Sequence, residues 1–188
     1  MIDVRPTYAG IGSRETPREI MSVMWRIARR LEARGWVLHS GGAVGADTAF
    51  ELGVRERVAG YDAEHPANAH VFLPWRGFND ANRQRFGLLG GEVIEPTKQA
   101  TELAQRFHPA WHRLSEGVRK FMVRNCYQVL GPDLRSPVRC VVCWTKDGKA
   151  SGGTGQALRI AAAYGVPIFN LHDPGSIARL KDFVLSAG

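Results

Sequence analysis

Three times along this chain, a short apolar stretch leads into a glycine-rich turn and then into a run of helix-forming residues. The turns are Gly10–Arg14, Ser40–Asp47 and Ser151–Gly155. This order of strand, glycine loop and helix presents backbone N–H groups and a helix N-terminus to an anion such as phosphate. One glycine after a strand is often only a tight turn. Three such units, with Ser or Thr hydroxyls beside the glycines, favour a nucleotide or nucleic-acid ligand.

The same alternation predicts the fold class. Strands are predicted at 6–10, 36–39, 69–73, 138–144 and 165–170, and helices at 17–34, 46–53, 80–89, 98–107, 116–130, 155–164 and 176–185. Strands that alternate with helices indicate an α/β protein with a doubly wound, mostly parallel, Rossmann-like sheet and helices on both faces. The apolar run Val138–Trp144 is typical of a strand buried on both sides. Ligands bind such sheets at the carboxyl ends of the strands, where all three glycine turns are predicted to lie.

Length and composition predict an ordinary globular chain. With 188 residues, 44% hydrophobic and 23% charged, we expect a single domain over residues 1–188. No apolar run approaches the roughly 20 residues that a membrane span needs. The segment Met1–Pro6 lacks the features of a secretory signal. A cytoplasmic protein with no membrane partner is therefore expected.

The chain is basic, with a formal net charge of +7, and 20 of its 25 cationic side chains are arginine. Arginine holds phosphate in a bidentate geometry and stacks on bases, so this bias suits a nucleotide or nucleic-acid surface. The alternative is a GC-rich genome, because arginine codons are GC-rich. Composition alone leaves both explanations open.

The cysteines and histidines do not predict a metal or redox site. Cys140 and Cys143 have the spacing of a zinc or redox pair, but alternation along a strand places their side chains on opposite faces. Together with Cys126 they are interpreted as three reduced, partly buried thiols. The histidines show no ligand spacing with cysteines or carboxylates. No metal and no cofactor are expected.

Several segments together resemble a known family. They are Ala9–Pro17, Val37–Asp47, Met122–Asn125, and Ser151–Thr154 with Ala157 and Ala161. In this order they resemble the Rossmann core of the DNA-processing protein A (DprA/Smf) family, part of the wider SLOG group. That group also includes the lonely-guy phosphoribohydrolases and sensors of nucleotide-derived signals. The resemblance implies the same fold and a nucleotide or single-strand phosphate site at the glycine loops.

The three glycine turns and the pair Arg124-Asn125 supply the predicted ligand-binding residues. Arg14 is expected to clamp a phosphate that the turn amides hold, and Ser40 and Ser151 to donate to phosphate oxygens. The alternatives are a solvated Arg14, serines that only form turns, and a Thr154 that only caps a helix. The full set is Gly10, Gly12, Ser13, Arg14, Ser40, Gly41, Gly42, Gly45, Arg124, Asn125, Ser151, Gly152, Gly153 and Thr154.

Two carboxylates are candidate catalytic groups. Asp47 and Glu51 are four residues apart on a predicted helix and therefore share a face. A carboxylate there could bind ribose hydroxyls or stabilise an oxocarbenium-like centre during N-glycosidic cleavage. In the alternative, Asp47 only satisfies loop amides at the helix N-terminus. Lonely-guy enzymes carry a glutamate in the helix after the Gly-Gly and Thr, whereas Thr154–Arg159 holds no carboxylate, which argues against a simple transfer of their mechanism.

The residues thus support three hypotheses of different classes. The first is a DprA-like protein that binds a nucleotide or single-stranded nucleic acid, the second a nucleotide N-glycosidase, and the third a sensor or sequestering protein for a nucleotide-derived signal. Trp75, Phe78 and Trp144 lie just beyond predicted strands, where they could stack on a base or only anchor loops. The oligomeric state is not fixed by the sequence, and a homo-oligomer stays open.

Overall fold

A computed structural model of the chain describes residues 5–58, 68–88 and 90–186. Within these residues six strands form one sheet, and every neighbouring pair of strands is parallel. The strands are β1 (Thr7–Gly12), β2 (Val37–Ser40), β3 (Ala69–Leu73), β4 (Glu92–Val93), β5 (Cys140–Trp144) and β6 (Ile168–Asn170). Their order across the sheet is β4-β3-β2-β1-β5-β6.

Seven α-helices and one short 3₁₀ turn accompany the described strands. The helices are α1 (Arg18–Glu32), α2 (Ala46–Val58), α3 (Asp80–Phe86), α4 (Lys98–Arg106), α5 (Glu116–Leu130), α6 (Gly152–Ala163) and α7 (Ser176–Ser186), and the 3₁₀ turn is Trp111–Arg113. One core joins the sheet to α1, α2 and α7, and the other joins it to α4, α5 and α6. The predicted α/β class with helices on both faces is therefore confirmed.

The interior strand β5, between β1 and β6, shows how the sheet is buried on both sides. All five of its residues are buried. The Cys140 side chain packs in the core beneath α1 and α2, and the Cys143 side chain packs in the core beneath α5 and α6. The two thiols lie on opposite faces, as the alternation of a strand predicts. Among the described residues, no helix is long and apolar enough to cross a membrane.

Several predicted boundaries were wrong. β1 runs on to Gly12, so the predicted turn at Gly10–Arg14 begins with two residues that are still strand. Helix α6 begins at Gly152 rather than Gly155. Ser151 therefore occupies the N-cap position, which the alternative interpretation gave to Thr154. Strand β4 was missed, because two exposed residues carry no periodic pattern. The polar, proline-bearing stretch 59–68 predicts a surface loop, and most of it lies outside the described residues. Leu89, at the end of the predicted helix 80–89, also lies outside them.

The connectivity creates a crevice beside β1. From β1 the chain builds β2, β3 and β4 outward on one side, then crosses to β5 and β6 on the other. The connections that leave the carboxyl ends of β1 and β5 therefore diverge, and an opening forms between them. Open α/β sheets bind their ligands at this kind of switch point.

Candidate functional site

A cavity of about 800 Å³ opens at the carboxyl edge of the sheet. Residues from the loops after β1, β2 and β5 all line it, together with one face of α5 and the segment before α3. This volume lies within the usual range for small-molecule and cofactor sites. The lining comprises Ile11, Gly12, Ser13, Arg14, Glu15, Ala43, Val44, Asp47, Phe78, Asn79, Val118, Phe121, Met122, Arg124, Asn125, Gln128, Thr145, Lys146, Ser151, Gly152, Gly153, Thr154 and Ala157.

The N-terminus of α6 faces this cavity with exposed backbone. Ser151, Gly152 and Gly153 are exposed, and the φ of +59° at Gly152 favours glycine there. The Ser151 hydroxyl donates to Asp147 Oδ1 at 3.0 Å and does not cap the helix. The first N–H groups of a helix have no acceptor within the helix. Those of α6 therefore lie at the cavity wall, at the positive end of the helix dipole.

Two cations line the same cavity as this helix end. Arg14, in the loop after β1, is exposed, as is Lys146, in the loop after β5. Neither side chain has a hydrogen-bond or ion-pair partner among the described residues, and both line the cavity. The β1 loop itself is held by Thr16, whose hydroxyl donates to the Ser13 carbonyl at 2.7 Å. A threonine just before Pro17 also predicts an N-cap for α1, but Thr16 stabilises the turn and does not cap that helix.

The loop after β2 is closed instead. Ser40 is fully buried, and its hydroxyl donates to Glu51 Oε1 at 2.6 Å. A Cβ on Gly41 would lie 1.2 Å from Arg124 Nη1, so the guanidinium packs directly on the loop backbone. Gly42 and Gly45 have φ of +68° and +86°, which other residues rarely adopt. The Ser40 hydroxyl and the N–H groups of Gly42 and Ala43 thus form hydrogen bonds within the protein.

Arg124 joins α5 to α2 beneath the cavity. Its Nη1 donates to Asp47 Oδ2 at 3.4 Å and to Gln128 Oε1 at 2.7 Å. Burial raises the pKa of Asp47 while Arg124 and the loop amides oppose that shift, and burial also lowers the pKa of Arg124. Arg124 Nε and Gln128 Nε2 are buried and have no acceptor within the described part of the chain. A ligand oxygen that reached this floor would satisfy them.

Glu51 lies deeper. It is fully buried, and Arg83 Nη1 of α3 donates to its Oε2 at 2.8 Å. Burial raises the pKa of Glu51 to about 7, against the opposing effects of the Arg83 guanidinium and the Ser40 hydroxyl. Glu51 is not part of the cavity lining. Of the two candidate catalytic carboxylates, Asp47 borders the cavity, whereas Glu51 supports the loop after β2 through its bond with Ser40.

Asn125 connects α5 to the start of α6. Its amide donates to the Gly153 carbonyl at 3.1 Å and to Gln156 Oε1 at 3.0 Å. Gln156 in turn donates to the Met122 carbonyl at 3.2 Å. This buried chain of amides fixes the first turn of α6 against α5. Asn125 therefore holds in place the helix end that faces the cavity.

Three aromatic rings form a ridge at the side of the cavity near β3. Trp75 lies 5.1 Å from both Phe78 and Phe121, and Phe78 lies 5.3 Å from Phe121, between ring centroids and with edge-to-face geometry. All three are half-buried. Trp144 is buried in the core beneath α1 and α2. Of the three predicted stacking candidates, Trp144 is therefore a core residue.

The three cysteines lie inside the two cores. All three are unpaired and buried, more deeply than the partial burial expected of them. Burial raises the pKa of each thiol to about 12. Among the described residues no group of histidine, cysteine and carboxylate side chains could hold a metal ion.

The structure brings together most, but not all, of the predicted ligand-binding residues. Those in the cavity lining are Gly12, Ser13, Arg14, Arg124, Asn125, Ser151, Gly152, Gly153 and Thr154, and those outside it are Gly10, Ser40, Gly41, Gly42 and Gly45. Gly10 lies within β1, where a Cβ would come within 2.6 Å of the Phe50 ring. Sequence reasoning missed Lys146, Phe121 and Gln128. Lys146 could have been found from its place just after a buried strand, but the other two lie on an ordinary amphipathic helix.

Comparison with solved structures identifies the fold. A structure of DNA processing protein A (DprA) from Helicobacter pylori, described for its single-stranded DNA binding mode, matches with a TM-score of 0.51 and 16% identity over 89% of this chain and 66% of that chain. DprA from Streptococcus pneumoniae matches with a TM-score of 0.51 and 16% identity over 88% of this chain and 50% of that chain. No protein-family model and no curated protein matches the sequence significantly. The chain has a DprA-like fold and spans about two thirds and half, respectively, of these two proteins.

Proposed function

We propose that this chain binds single-stranded DNA, with the phosphate backbone in the cavity at the carboxyl edge of the sheet. One observation carries the proposal. The exposed side chains of Arg14 and Lys146, which have no partner among the described residues, border the same cavity as the N-terminus of α6. Free cations and free backbone N–H groups on one concave wall are the groups that bind a phosphate.

The fold supports the same proposal independently of these residues. The Helicobacter neighbour is described by its single-stranded DNA binding, and the net charge of +7 favours a polyanion. The unpaired donors Arg124 Nε and Gln128 Nε2 at the cavity floor suit the oxygen atoms of a base or phosphate. We infer that Gly12–Arg14 and Ser151–Thr154 hold phosphate. The β2 loop, by contrast, acts mainly by shaping the wall.

A second candidate function is cleavage of a nucleotide N-glycosidic bond. It is favoured by Asp47, a carboxylate that borders the cavity and whose pKa is raised by burial. Against it, Asp47 Oδ2 already accepts from Arg124 and from the Ala43 N–H at 3.2 Å. An engaged carboxylate is less suited to stabilise a charged sugar than a free one. A sensor that sequesters a nucleotide-derived signal would use the same cavity without cleavage.

Oligonucleotide binding at two salt concentrations tests the first proposal. The probe is a fluorescently labelled oligothymidylate about twelve nucleotides long. Its affinity should fall steeply, about tenfold or more, between about 50 and 200 mM salt, because several phosphate contacts release counterions together. A single nucleotide should show a shallow dependence. Salt-independent binding of the oligonucleotide, or no binding, would contradict the proposal.

Release of free base tests the second candidate. Incubation with each ribo- and deoxynucleoside monophosphate should yield no free base if the chain only binds. If base appears, Asp47→Asn should abolish the release while nucleotide binding persists, because an amide keeps the shape of the carboxylate without its charge. Release that Asp47→Asn leaves unchanged would exclude this carboxylate as the catalytic group.

A further inference from the structure

A second, smaller cavity of about 230 Å³ lies further along the same edge of the sheet, beside the ends of β3 and β4. Its lining comprises Pro74, Trp75, Arg76, Val93, Ile94, Glu95, Pro96 and Lys120. None of these residues was a predicted site residue other than Trp75. The DNA-binding proposal above does not use this cavity.

The aromatic ridge separates the two cavities. Trp75 lines the smaller cavity, whereas Phe78 and Phe121 line the larger one. The Trp75 ring touches both phenylalanines at 5.1 Å between centroids. The ridge is thus a continuous set of half-buried rings with the two cavities on either side. Base–aromatic stacking is a common, sequence-tolerant contact of single-stranded nucleic acids.

The smaller cavity also carries positive charge. The Arg76 side chain is exposed and has no partner among the described residues. Lys120 is 3.1 Å from Glu116, but this is an i,i+4 pair on the surface of α5 in which the Glu116 side chain is 86% exposed. A pair of this kind contributes little and can exchange its partner. Against these two cations the lining holds one carboxylate, Glu95.

We propose that this smaller cavity binds the next nucleotide of the strand held in the larger cavity, with the strand crossing the aromatic ridge. Trp75 would stack on a base, and Arg76 and Lys120 would contact the adjoining phosphate. The proposal rests on the proposed DNA-binding function and refines it, because a site with two linked cavities prefers an oligonucleotide to a mononucleotide. The strand then runs along the carboxyl edge of the sheet from α6 toward β4.

A double variant with a charge-matched control tests this subsite. Arg76→Gln with Lys120→Gln removes the two cations, while the control, Arg135→Gln with Lys181→Gln, removes two exposed cations elsewhere on the molecule. Binding of deoxythymidine monophosphate and of a labelled twelve-residue oligothymidylate is measured for both proteins. We expect the test variant to lose about tenfold in oligonucleotide affinity beyond the control and to bind the mononucleotide like wild type.

The ridge is tested by Trp75→Leu and Trp75→Phe, with thermal unfolding measured beside binding. Trp75→Leu should weaken oligonucleotide binding about fivefold or more, and Trp75→Phe should largely restore it, because an aromatic ring still stacks. Equal losses in the test and control double variants would overturn the second subsite, as would an unchanged oligonucleotide affinity or a loss of mononucleotide binding. Absence of oligonucleotide binding by wild type would instead overturn the proposed function itself.

Discussion

The glycine turns that follow β2 and β5 both contain the sequence Ser-Gly-Gly, at 40–42 and 151–153, yet they form opposite environments. Ser40 of the first loop is fully buried and bonded to Glu51. Ser151 of the second is exposed and bonded to the exposed loop residue Asp147. The first loop is covered by α3 and Arg124, whereas the second leaves its backbone at the cavity wall. The same motif therefore serves as internal support in one place and as an open anion-binding surface in the other.

The difference arises from what packs over each loop. Arg83 of α3 reaches Glu51, and Asn79, just before α3, donates to the Gly42 carbonyl at 3.0 Å. Asn79 itself has a φ of +60°, an uncommon conformation for a residue other than glycine. Among the described residues nothing comparable covers Gly152, since a Cβ there would meet none of their atoms within 4 Å. A glycine loop binds a ligand only where later segments leave it uncovered.

The largest expected effect is the loss of the ion pair under the β2 loop. Arg83→Met should lower the free energy of unfolding by about 3–5 kcal/mol, because it leaves a buried carboxyl without its cation. The loss should be greater at pH 8 than at pH 5.5, where Glu51 can be protonated. Urea unfolding measures both values. Arg85→Met on the same helix, an exposed position, is the control and should change little; equal losses would show that α3 rather than the pair matters.

The pH dependence of stability should reveal Glu51 directly. Its pKa rises from the ordinary 4.5 to about 7 in the folded chain, so the folded state favours the protonated form. The stabilisation is complete below pH 4.5 and is lost as the pH rises through 7. Relative to Glu51→Gln, wild type should therefore lose on the order of 3 kcal/mol between pH 4.5 and 7.5. Parallel stability curves for the two proteins would contradict the shift.

The sequence predicted the elements better than the site. Helix α5 and strand β3 have their predicted bounds, because strong capping and apolar signals mark their ends. Helix α6 was placed three residues late, since Gly152 and Gly153 have low helix propensity and resemble a loop. The hydrogen bonds of Asn125 on α5, to the Gly153 carbonyl and to Gln156 on α6, stabilise this first turn despite its low helix propensity. Tertiary contacts of this kind cannot be recognised from the local sequence around Gly152.

The pairings that decide which residues reach a ligand are long-range. Arg124 and Asp47 are 77 positions apart, and Arg83 and Glu51 are 32 apart. Spacing on α2 correctly places Asp47 and Glu51 on one face, but it does not say that one borders a cavity and the other does not. That distinction depends on where α3 and α5 pack. For this reason the loops were predictable as loops, and their exposure was not.

For the residues that line the cavity beside the start of α6, we expect substitutions to change DNA binding rather than stability. Arg14→Ala should cost about 1.5–3 kcal/mol of affinity for an oligothymidylate, the usual range for a charge-assisted hydrogen bond. Its thermal stability should stay close to wild type because the Arg14 side chain is exposed. Arg135→Ala, another exposed arginine, controls for net charge. A large drop in melting temperature would make Arg14 a structural residue and remove it from the site.

The smallest effects come from placing the same methyl group in both loops. In Gly41→Ala the new Cβ would lie 1.2 Å from Arg124 Nη1, so the guanidinium must leave Asp47 and Gln128, at a cost of about 1–3 kcal/mol in unfolding free energy. In Gly153→Ala the nearest atom is Met122 Cε at 3.9 Å. Alanine there should instead add about 0.5–1 kcal/mol, because glycine is a poor helix residue and α6 already includes this position. Denaturant unfolding of both variants gives the two signs. If both variants were equally tolerated, the β2 loop would be no more closed than the β5 loop, and the division between supporting loop and binding loop would fail.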